Sequence, residues 1–87
     1  MIIFAVLTPT EHPQLEAALT ALFPDNYLKV GPGQYLVAAK GTAVDVSNTL
    51  GISDGRNGSG IVLSTSGYYG RAGNNIWEWM KLKVSTP

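Results

Sequence analysis

Eighty-seven residues suffice for one small domain with a limited core, and 45% apolar residues with ten glycines describe a folded chain rather than a disordered one. Six Lys and Arg balance six Asp and Glu, so no net field draws the chain to nucleic acid, an acidic membrane or a charged substrate, and any such binding must come from a local patch. The absence of cysteine removes disulfides, thiolate nucleophiles and Cys-based zinc sites, and it fits a reducing compartment, with the cytoplasm as the default.

The first apolar run, Ile2 to Leu7, is rich in strand formers and ends at Thr8-Pro9. It lacks a basic leader and is too short for a signal peptide or a membrane span, so it reads as a central β-strand. A helix is expected from Thr10, with Pro13 in its first turn and Leu15, Ala18, Leu19, Leu22 and Phe23 on one face; Pro24 stops it. Tyr27–Val30 and Gln34–Ala39 flank Gly31-Pro32-Gly33, whose glycines suit the tight turn of a hairpin.

Thr42 with Asp45 three residues on has capping-box spacing, Val46 and Leu50 share a face, and Gly51 followed by Ile52 reads as a helix end. The stretch Asp54 to Gly60 carries almost no side chain suited to a core and is expected to be an exposed, mobile loop. Ile61-Val62-Leu63 restarts a strand. Asn74-Asn75 can cap a last helix, Asn75 having capping-box spacing to Glu78, and that helix carries Ile76, Trp77, Trp79, Met80 and Leu82.

The order is β-α-β-β-α-β with an extra C-terminal helix, which predicts one α+β domain over residues 1–87: a ferredoxin-like, four-stranded antiparallel sheet with two helices on one face. The other face then needs cover from the last helix or a second subunit, and pairing of edge strands would hide open backbone groups.

Few residues invite chemistry. His12 is the only histidine, so neither a His-rich metal site nor a conventional Ser-His-Asp triad can be assembled in one chain, and beside Pro13 it reads as a helix-entrance residue. The scattered carboxylates are explained as caps, turns and helix surface. Neither glycine-rich stretch has the ending of a phosphate-binding loop or the spacing of a dinucleotide fingerprint, so no cofactor and no metal is expected. The densest cluster is Ser64, Ser66, Tyr68, Tyr69, Arg71, Asn74 and Asn75, where an arginine beside a helix N-terminus could hold a phosphate or carboxylate. The favoured alternative is that the tyrosines pack an interface and Arg71 satisfies carbonyls or a carboxylate. Arg56 and Arg71 are the candidates for contact with RNA or DNA; Trp77 and Trp79 are expected to seal a helix against the sheet, and Lys81 and Lys83 to complement the helix dipole.

The hydrophobic first strand and helix, the run Tyr35-Leu36-Val37-Ala38-Ala39 leading into the Thr42 helix, and Ile61-Val62-Leu63-Ser64 with Ser66-Gly67-Tyr68 resemble the SinR-like proteins, small bacterial ferredoxin-like relatives of the CRISPR-associated adaptation subunit. The resemblance implies a homodimer associated with a nucleic-acid or defence system. It also brings in metal-dependent nucleases with an Asp at the end of the first strand, but Leu7-Thr8-Pro9 stands there and no carboxylate follows until Glu11, which removes the hard oxygen ligand such a nuclease needs. A non-enzymatic, homodimeric interaction or regulatory module is the leading expectation; weak, salt-sensitive RNA or DNA binding and a divergent nuclease are its rivals.

Overall fold

The computed structural model describes residues 1–87 and contains four strands and three helices: β1 (Ile2–Leu7), α1 (Pro13–Leu22), β2 (Tyr27–Gly31), β3 (Gln34–Ala39), α2 (Ala43–Leu50), β4 (Ile61–Thr65) and α3 (Asn74–Ser85). The strands form one antiparallel sheet in the order β2-β3-β1-β4. The molecule is therefore α+β, and no helix is long and apolar enough to cross a membrane.

The apolar run of β1 is divided by the pleat of the strand, which sends alternate side chains to opposite faces. Phe4 and Val6 enter the main core with Leu15 and Leu19 of α1, Tyr35 and Val37 of β3, and Val46, Leu50 and Ile52 from α2 and its exit. On the other face Ile3 joins Ala38 and the buried Met80 of α3, with Met1, Leu36, Ile76, Trp77 and Trp79 around them. The sheet is thus covered by two helices on one side and by the last helix on part of the other. The Met1 ammonium donates to the carbonyls of Lys83 and Thr86 and ties the end of α3 to the start of β1.

Local sequence explains most element boundaries. Gly33 sits at φ 68° in the β2–β3 turn, where a side chain would also strike the Thr8 carbonyl oxygen. The Thr42 capping box of α2 forms as expected: Thr42 Oγ1 accepts from the Asp45 N–H at 3.2 Å, and Asp45 Oδ2 accepts from the Thr42 N–H at 2.9 Å. Gly51 ends α2 in the left-handed region at φ 77°.

Three local expectations are corrected. The first helix begins at Pro13, with His12 as its N-cap through Nδ1, which accepts from the Leu15 N–H at 3.4 Å; Pro13 takes the first helical position, where its missing N–H costs nothing. Leu22 on that helix is exposed, because the apolar stripe outruns the core. The 54–60 loop is exposed at Asp54, Gly55, Arg56 and Ser59 as expected, but its middle is anchored: Asn57 Nδ2 donates to the Leu50 carbonyl at 2.7 Å, and Gly58 packs so close to the His12 ring that a Cβ there would lie 2.7 Å from its Cδ2.

Replacing Thr42 by Ala removes the cap and is expected to destabilise the fold by about 1 kcal/mol, read as a lower urea midpoint at unchanged slope; an unchanged midpoint would show that the box contributes nothing.

Candidate functional site

Three regions carry the polar, aromatic and exposed apolar groups from which a site could be made. The first lies where α1 meets β2. Lys29 Nζ bonds Glu11 Oε1 at 2.5 Å and Glu16 Oε1 at 3.3 Å, and these contacts, the Glu11 bond foremost, hold the ammonium pKa above its ordinary 10.5. Beneath them the Tyr35 hydroxyl is buried with no hydrogen-bond partner. Desolvation, reinforced by the Glu16 charge, pushes its pKa above 10.0. The surface pairs themselves add little stability.

A raised tyrosine pKa means that folding favours the neutral hydroxyl. Its contribution is complete below about pH 10 and is lost as pH rises through the unfolded and then the folded pKa, since the unfolded chain gives up the proton first. Tyr35→Phe is expected to leave stability at neutral pH unchanged or slightly raised, because the hydroxyl has no partner to lose, and to weaken the alkaline fall in stability. Urea unfolding at neutral and alkaline pH tests both; a loss above about 2 kcal/mol at neutral pH would mean that the hydroxyl is bonded.

The second region is the segment after β4. Tyr68 stacks on Trp77, ring centroids 6.1 Å apart and planes inclined by 16°. With Tyr69 and Gly70 they line a shallow cleft, and Tyr69 is fully exposed. The structure does not gather the whole set expected from sequence. Ser64 pairs in register with Phe4 and so lies on the face of α1 and α2, whereas Trp77 belongs to the opposite face. Ser66, Arg71, Asn74 and Asn75 are all exposed.

The cap expected from Asn74 or Asn75 is absent: both are already helical, Gly73 is the N-cap, and no side chain bonds the first-turn amides. Gly73 serves because its extended backbone needs no side chain to enter a helix. Arg71 makes no hydrogen bond and no ion pair, so it does not satisfy carbonyls or a carboxylate; Arg56 instead pairs with Asp54 at 3.2 Å. Nowhere do three of His, Asp and Glu converge in a group suited to a metal ion.

The third region is the part of the sheet beyond the reach of α3. Leu7, Ile61 and Leu63 are 41%, 61% and 47% exposed, and the β1–β4 register places them on one face beside the half-buried Ala5. Sequence reasoning read Ile61-Val62-Leu63 as a strand and missed that two of its three apolar side chains stay outside. Nothing in the run itself distinguishes a covered strand from an uncovered edge.

Trp77 is half-buried rather than sealed, so Trp77→Ala is expected to lower stability by no more than about 3 kcal/mol, less than a fully buried tryptophan would lose. Arg71→Ala should leave the melting temperature unchanged. Thermal unfolding of the two variants checks the placement, and an unfolded Arg71→Ala protein would contradict it. No family model, curated protein or solved structure matches this chain.

Proposed function

We propose that this chain is a non-enzymatic interaction module that self-associates as a homodimer, in the manner its resemblance to SinR-like proteins implies. The observation that carries the reading is the exposed apolar strip of Leu7, Ile61 and Leu63 on a sheet face that α3 covers only in part. A small monomer gains nothing by leaving three large aliphatic side chains side by side in water, and such a strip is what a partner surface covers. The sheet order, with β3 lying between β1 and β2 and β1 between β3 and β4, supports the finer reading of the fold as a split β-α-β unit of the ferredoxin-like kind with an added helix. A regulatory or accessory role in a bacterial nucleic-acid or defence system follows from the resemblance.

A second reading, weak binding of RNA or DNA, is favoured by one feature: the stacked Tyr68 and Trp77 with the exposed Tyr69 offer aromatic faces to bases, and Arg71 stands free nearby in sequence. The neutral net charge limits the strength of such binding and makes it sensitive to salt.

Titration of the purified chain into short fluorescent RNA and DNA at low and at physiological salt, with its mass in solution recorded alongside, separates the readings. The expected result is a dimer that releases both nucleic acids at physiological salt and cleaves neither when magnesium or manganese is added. Salt-resistant binding would place nucleic-acid recognition first. Cleavage that needs metal and stops with chelator would make the chain an enzyme.

A further inference from the structure

The two edges of the sheet are built differently. At the β2 edge the register shifts between Lys29 and Gly31, and Lys29 lies within the strand, held by two carboxylates. Bulges and charges of this kind keep edge strands from pairing with other chains. β4, at the opposite edge, has none of them: Ile61-Val62-Leu63-Ser64-Thr65 contains no charge, no proline and no irregularity in its pairing with β1.

The ladder also shows which groups of β4 are open. The Thr8 N–H bonds the Gly33 carbonyl at 2.8 Å, so the even-numbered residues of β1 direct their backbone groups to β3, and Ile3, Ala5 and Leu7 direct theirs to β4. Their register partners Thr65, Leu63 and Ile61 therefore point inward. Val62 and Ser64 point outward, with no backbone partner outside the sheet. These open residues flank Leu63 symmetrically.

We propose that the homodimer forms by antiparallel pairing of β4 with β4 of a second copy, about a twofold axis at Leu63; this rests on the self-association proposed above. In that register Val62 of each copy faces Ser64 of the other, and the two exchange N–H···O=C bonds. Leu63 meets Leu63 as a close, non-hydrogen-bonded pair, and Ile61 meets Thr65. The apolar strips of the two copies become continuous across the axis. On the opposite face, the groove between α2 and β4, lined by Ala43, Val44, Ser47, Ser53 and Val62, meets its own copy, with Val44 66% exposed at its rim. A second copy fits because the strand is uncharged, so a twofold axis sets no like charges face to face, and because this single register pairs every outward group of Val62 and Ser64 while covering Leu63.

The chain has no cysteine, so one introduced thiol reports the pairing without interference. Leu63→Cys is expected to oxidise to a covalent dimer, because residues opposed in a non-hydrogen-bonded antiparallel pair lie about 4.5 Å apart between Cα atoms, within disulfide reach. Val30→Cys at the guarded edge should stay unlinked. Ser64→Pro removes an outward N–H without touching the β1 ladder, a place where an edge strand tolerates proline; it should keep the native circular dichroism and raise the dimer dissociation constant by about tenfold or more in sedimentation. Should Ser64→Pro fail to fold, the Leu63→Cys crosslink decides the question.

A wild-type dimer that Ser64→Pro leaves intact and Leu63→Cys does not crosslink would overturn the β4 pairing and leave self-association standing. A wild-type chain that stays monomeric at every concentration would overturn both, and the open edge would then await a strand from another protein.

Discussion

The structure is organised by the need to cover the middle of β1, Ile3 to Val6, on both faces. A strand with six apolar residues in succession cannot lie on the surface of a half-solvated sheet, because its alternate side chains point both ways. Flanking it by β3 and β4 satisfies its backbone, α1 and α2 cover Phe4 and Val6, and α3 covers Ile3. The C-terminal helix is thus part of the solution to a problem posed by the first strand, and the Met1 contacts to Lys83 and Thr86 join the two ends of the chain at that point.

That solution is incomplete at one end of the sheet. α3 covers the end marked by Ile3 and Ala38, and the face around Leu7, Leu63 and Ile61 remains open. The main core is closed, with Phe4, Val6, Leu15, Leu19, Val37 and Leu50 fully buried, so the exposed strip is not a sign of a poorly packed fold. It is confined to one face of the sheet, where the end of β1 meets the edge strand β4, and lies next to the open backbone groups of β4. Apolar surface and unpaired backbone coincide at β4, while at β2 the edge is bulged and charged. This asymmetry is the strongest functional statement the molecule makes.

The aromatic segment after β4 is a weaker one. Tyr68 and Trp77 support each other, and Tyr69 extends from them into solvent, but Ser64 lies on the opposite face of the sheet and Ser66, Arg71, Asn74 and Asn75 are exposed. Ser64 faces α1 and α2, and the asparagines form the first turn of α3 without capping it. Proximity along an irregular segment says little about proximity in space, because the pleat of a strand separates neighbours and a helix start redirects the chain. Arg71, the residue with the clearest chemical promise in the sequence, has no intramolecular task.

The sequence by itself determined the elements whose causes are local. The capping box of Thr42 and Asp45, the Gly51 helix end, the hairpin at Gly31-Pro32-Gly33 and the buried stripe of Leu15 and Leu19 each follow from residues within one or two turns of one another. Only the tertiary structure decided which apolar residues stay outside, that His12 and Asn57 hold the 54–60 loop, and that the Tyr35 hydroxyl is left without a partner over Glu16 and Lys29. These depend on which strands become edges and where the last helix lands. An apolar run such as Ile61-Val62-Leu63 carries the same local signal in the middle of a sheet as at its rim, and its exposure is set by neighbours that come from elsewhere in the chain.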